Sequence, residues 1–159
     1  MKSIEDLKKD FEKKAKEYKA FENAKTRIAG NIAKKEISRN FESQGYDNGF
    51  ALWKWKKRKA STDAAYYKRG KNIKGRVFSS KNPILVQTGN LKDSVRYRTV
   101  GKSTVLVGVN DKTVPYAKAH NEGAGKLPKR QYMPINKVSL NIIRAIAKEF
   151  NKRIHKIMK

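Results

Sequence analysis

A chain of 159 residues with 39 basic and 14 acidic side chains carries a formal charge of +25, with 38% apolar residues and no cysteine. That length suits one domain with a modest core, and the missing thiols exclude disulfides and thiolate metal sites. No segment is apolar enough for a signal peptide or a membrane span, so the expectation is a protein of a cytoplasm or of something assembled there.

Residues 3–43 predict one long helix, or two in series. Ser3 with Asp6 resembles a capping box in which Asp replaces the usual Glu. Apolar residues recur at Ile4, Leu7, Phe11, Ala15, Tyr18, Phe21, Ile28, Ile32, Ile37 and Phe41. Intervals of three, four and seven place them on one face. Lys14 and Lys25 interrupt that seam, and Gly30 within it is a candidate bend. Residues 43–50, SQGYDNGF, read as a loop with glycines at 45 and 49. The basic run ALWKWKKRKAS follows, then a polar stretch with Tyr66 and Tyr67 predicted helical up to Gly70, and 71–82 reads as irregular.

The texture changes at Pro83. Thr88-Gly89-Asn90 predicts a turn into a short helix over 91–94, with Thr88 as its cap and Leu91 and Val95 facing inward. Val95–Val100 alternates like a half-buried strand, and Thr104–Val109 is a second β-branched run. Together they predict a hairpin across Gly101-Lys102. Residues 116–121 suit a helical turn ending at Gly123, residues 123–128 a loop, and 130–135 a further strand. The final helix is predicted over 136–158, with Asn136 as N-cap and an apolar stripe from Val138 to Ile157. The fold class is therefore α+β: a small antiparallel sheet flanked by long N-terminal and C-terminal helices. It divides into a helical arm (1–43), a basic loop-rich segment (44–82), a sheet core (83–135) and a closing helix (136–159).

Charge is spread unevenly. Residues 1–43 hold 12 basic and 8 acidic side chains, while residues 44–87 hold 11 and 2. The first segment has the balance of a solvated helix, and the downstream surplus favours polyanions or an acidic protein surface. In Lys54, Trp55, Lys56, Lys57, Arg58 and Lys59, beside Trp53, aromatics interleave with cations as in proteins that stack bases and neutralise phosphates. The plainer reading takes Trp53 as a core or interface anchor and the cations as a solvated face, and it is preferred.

His120, with Glu122 nearby and Asp111 upstream, invites a metal or acid–base reading. Two histidines and no cysteine in the chain argue instead for a structural turn in which His120 hydrogen-bonds its surroundings. Thr88-Gly89-Asn90 lacks the spacing of a nucleotide-binding loop. For Arg130, a bidentate carboxylate pair and a solvent-exposed guanidinium stand level.

The order of these pieces resembles the phage virion morphogenesis family, also called tail completion proteins. The matching segments are the first helix ending near Phe41, the glycine loop leading to Trp53, and ILVQTGNLKDSV at 84–95. VLVGV at 105–109, YAKAHNEG at 116–123 and LPKRQYM at 127–133 follow before the closing helix. The basic run around Trp53 departs from the family's usual short polar segment. The resemblance implies a non-catalytic subunit without cofactor, a virion component assembled in the cytoplasm of a bacterial host. It implies a ring of identical subunits, often a hexamer, at the head–tail junction, with the head connector and tail proteins as partners; the charge surplus adds non-specific DNA contact as an expectation. Trp53, Thr88, Gly89, Leu91, Tyr116, Ala117, His120, Gly123 and Arg130 would be its structural or interface residues. Loops 44–50, 71–82 and 121–128 would order on contact. The alternative is a basic DNA- or RNA-binding module, and a hydrolase built on His120 and Glu122 is a distant third.

Overall fold

The computed structural model describes residues 3–57, 83–86, 89–125 and 127–159. Helix α1 runs unbroken over Ile4–Glu42, so the 39 residues form a rod about 58 Å long. Its start is fixed as expected. Ser3 Oγ accepts from the Asp6 amide at 3.1 Å while the Asp6 carboxylate accepts from the Ser3 amide at 3.2 Å. Gly30 does not bend it. A Cβ there would lie 2.2 Å from the Tyr97 ring, so the glycine lets a strand residue press against the helix. At the far end Ser43 donates to Arg39 O at 2.8 Å, and Gln44 takes a left-handed φ of 53° that terminates the helix.

The expected loop over 43–50 is instead half of a hairpin. Strands β1 (Gly45–Asp47) and β2 (Leu52–Lys54) pair antiparallel, with Tyr46 opposite Trp53. Their connection is an Asn–Gly turn: Asn48 Oδ1 accepts from the Phe50 and Ala51 amides at 2.8 and 2.9 Å, and Gly49 sits at φ 90°. The predicted helix ending at Gly70 and the irregular stretch 71–82 lie outside the described residues. Gln44 also anchors the chain where it re-enters the fold: its side-chain amide donates to the Ile84 carbonyl at 3.3 Å and accepts from the Ile84 amide.

Helix α2 (Asn90–Ser94) follows, and its N-cap is Gly89 at φ 77° with no side-chain cap. Thr88 lies outside the described residues. Strands β3 (Arg96–Val100) and β4 (Thr104–Gly108) form the expected second hairpin, with Arg98 opposite Leu106. Strand β3 is less buried than its alternation suggests, with only Tyr97 partly covered. Helix α3 (Ala117–Glu122) ends at Gly123, φ 81°. No strand forms over 130–135. There Asn121 Oδ1 accepts from the Tyr132 and Met133 amides at 3.0 and 2.9 Å, doing the work of a ladder. The closing helix α4 spans Leu140–Met158 with Ser139, not Asn136, at its N-cap.

The class is thus α+β, and its sheet content comes as two separate two-stranded hairpins. Both lie against α1, as does α4. Helix α4 runs antiparallel to α1: Phe150 meets Phe21 edge-on at 5.3 Å, and Lys14 Nζ donates to Met158 O at 3.1 Å. The core gathers at the C-terminal end of α1, where Ile37, Phe41, Trp55, Leu91, Val95, Val114, Ala117 and Tyr132 pack together. Among the described residues no helix is long and apolar enough to cross a membrane.

Candidate functional site

The residues singled out in 84–133 converge on that core and mostly build it. Leu91 and Ala117 are buried inside it. Tyr132 stands against Phe41 with ring centroids 5.1 Å apart, and its hydroxyl donates to Ala117 O at 3.3 Å. Burial pushes the Tyr132 phenol up to about 12, with the charge of Asp111 and the neighbouring Tyr116 adding to the effect. Gly123 closes α3 by donating to Ala119 O at 3.0 Å, and a Cβ there would sit 3.2 Å from the Lys129 side chain. His120 meets the Tyr116 ring edge-on at 5.8 Å, and its carbonyl accepts from the Arg130 amide at 2.8 Å. The helical turn expected over 116–121 is present. Glu122 and Asp111 are exposed, and among the described residues no three His, Asp or Glu side chains converge as metal ligands would.

Arg130 is not the solvent-exposed guanidinium of the second alternative. It is buried, and its Nε and Nη2 both reach the Lys56 carbonyl oxygen at 3.4 Å. A sequence window centred on Arg130 could not show this, because its acceptor lies 74 positions upstream.

The two tryptophans take different places. Trp55, not Trp53, is the core anchor: it is buried edge-on to Phe41 at 5.7 Å, and its Nε1 donates to Gln131 O at 2.7 Å. Trp53 is 56% exposed on the open face of β2, beside Tyr46 at 6.2 Å. Of the two halves of the preferred reading, a core anchor is therefore corrected for Trp53, while its exposure is compatible with an interface anchor. Lys54 donates to Ser43 O at 2.7 Å and so completes the carbonyl end of α1. Lys56 and Lys57 are exposed, while Arg58 and Lys59 lie outside the described residues. Of the described part of the run, Trp55 enters the core, Lys54 reaches back to the end of α1, and Lys56 and Lys57 face solvent.

Two exposed features lie outside the segment where the sequence pointed. The first is the N-terminal end of α1. Helix α4 ends beside Lys14, so residues 4–13 extend beyond it, about 15 Å of helix. Ile4, Leu7 and Phe11 on that extension are 87%, 44% and 71% exposed. They continue the stripe that α4 covers further along. The second is the outer face of α4, where one arc of exposed basic side chains lies beside the exposed Ile143 and Met158. A shallow groove between α1, the first hairpin and α4 holds Glu36, Arg39, Asp47 and Arg144. Its charges are largely engaged, with Glu36 paired to Arg39 at 2.5 Å and Arg144 donating to Gly49 O at 2.8 Å. It offers no reactive set.

Comparison with protein-family models, with curated proteins and with solved structures finds no match to this chain.

Proposed function

We propose that this protein is a non-catalytic assembly subunit of a phage particle, acting at the head–tail junction by docking to copies of itself and to head-connector and tail components. The order of segments over 84–133 motivates the particle assignment. The observation that carries the docking is the bare extension of α1. Three large apolar side chains stand in water on a helix that is capped and regular, and such surface is retained where assembly will cover it. Each is worth roughly 1.5–3 kcal/mol when fully buried, so covering them gives a ring contact substantial weight. The near-neutral charge of this stretch supports the same reading: residues 3–20 hold six basic and five acidic side chains. Two copies can approach there without the repulsion that a +25 molecule imposes elsewhere.

The test replaces Ile4, Leu7 and Phe11 together by serine. Expected are an unchanged thermal midpoint, loss of oligomers in native mass spectrometry, and unjoined heads and tails in a complementation assay. A wild-type protein that stays monomeric at every concentration, together with normal joining when the gene is deleted, would sink the proposal. The charge surplus favours a second reading, a basic DNA- or RNA-binding module. A duplex titration at several salt concentrations separates the two: a steep salt slope with discrete stoichiometry belongs to such a module.

A further inference from the structure

The outer face of α4 carries a row of cations with no carboxylate in it. At about 100° per residue, Arg144, Lys148, Asn151, Lys152, His155 and Lys159 share one arc, opposite the Ile142, Ile146 and Phe150 side that meets the core. All six are exposed. Glu149, the only acid of the helix, lies to one flank and is engaged by Arg153 at 2.8 Å. Among the described residues Lys148, Lys152 and Lys159 take part in no ion pair. Cations in a last turn complement the helix dipole, which accounts for His155 and Lys159. It does not account for Lys148 and Lys152, which lie further upstream where that effect has faded, whereas Arg144 is held by the Gly49 carbonyl and the Phe50 ring.

We infer that this face binds duplex nucleic acid through its phosphates. Cations four residues apart recur every 6 Å or about that, so the row presents positive charge along roughly 22 Å of a straight helix. A duplex is the polyanion whose charge is dense enough to engage several at once. Asn151, between them, adds a neutral donor of the type that bonds phosphate oxygens. The one ring in the arc is the His155 imidazole at its last turn, which gives successive single-stranded bases no platform to stack along. Ile154 and Met158 flank its Asn151 edge, but the arc itself is polar, which suits a phosphate backbone better than the apolar centre of a protein interface or the wedge of a membrane-surface helix. Recognition is therefore of the backbone and independent of base sequence. The inference deepens the nucleic-acid reading by naming its surface, and it does not depend on the assembly proposal.

The experiment compares the whole protein with Lys148→Gln/Lys152→Gln/Lys159→Gln and with a control that removes equal charge from α1, Lys8→Gln/Lys13→Gln/Lys16→Gln. Affinity for a fluorescent 30-base-pair duplex is read by anisotropy at several salt concentrations. The α4 triple is expected to flatten the log–log salt slope by about two to three units, near 0.9 per lost contact, and the control by less than one. If wild type binds with a steep slope but both triples lower it equally, the α4 assignment fails while the nucleic-acid reading stands. If wild type shows no steep slope, both fail. Equal capture of polyglutamate, with the same sensitivity to the α4 triple, also overturns the inference. Should the triple not fold by circular dichroism, Lys152→Gln alone is expected to change the slope by about one unit.

Discussion

Tyr132 and Gly30 show how single positions decide this fold. The Tyr132 phenol is protonated in the folded state up to about 12 because burial disfavours its anion. In the unfolded chain it ionises near 10. Between those values the unfolded state binds fewer protons, so stability that is complete below pH 10 is lost as pH rises toward 12. Denaturant midpoints from pH 9 to 12 are expected to fall more steeply for wild type than for Tyr132→Phe, by at most roughly 2 kcal/mol across the window. Gly30→Ala sets two effects against each other. Alanine improves helix propensity by about 1 kcal/mol, whereas overpacking against the Tyr97 ring costs about 1–3. The ring cannot swing away cheaply, since its Cγ as well as its edge lies under 3 Å from the added carbon. A net loss near 1 kcal/mol is expected in urea titrations, reduced when Tyr97→Ala is added.

At the scale of elements, the segment after α3 shows one asparagine replacing a strand partner. Asn121 is buried and its Oδ1 holds two amides of a stretch with no sheet neighbour. Replacing it by leucine leaves both amides inside the protein without an acceptor. The expected cost is about 2–4 kcal/mol, more than loss of an ordinary hydrogen bond, because unmet buried donors carry their full desolvation penalty. Equal midpoints for Asn121→Leu and wild type would show that water or a shifted backbone meets the need. The first hairpin makes the complementary point. Its strands are three residues long, too short for alternation to announce them, yet the Asp-Asn-Gly run at its turn was visible as turn chemistry. Helix α4 begins later than Asn136 suggests, since Leu140 donates its amide to Asn48 O at 2.9 Å and Ser139 takes the cap position. A contact with a distant hairpin, not a local side chain, set that boundary.

Across the whole molecule, α1 is the element against which every other large piece is laid, and its two ends differ. The half from Phe21 onward is covered by α4, the hairpins and Trp55, while the first turns stand alone. Phe11→Ala is expected to leave stability within about 0.5 kcal/mol of wild type, whereas Phe21→Ala costs about 3. Calorimetry on both variants checks this, and similar losses at the two positions would mean that the extension is packed in solution. The sequence shows Phe11 and Phe21 as equivalent members of one stripe. Only the end of α4 beside Lys14 separates them.

Local chemistry was enough to specify the long helix and its cap, the β3–β4 hairpin, the turn into α2, the Gly123 stop and the α+β class. Each depends on neighbours within a few positions and on a period of two or 3.6. Which tryptophan is buried, what Arg130 faces, why Gly30 is small and where the apolar stripe runs out depend on residues tens of positions away. Periodicity names the face of a helix but not what covers it, so burial on that face is decided by tertiary packing alone.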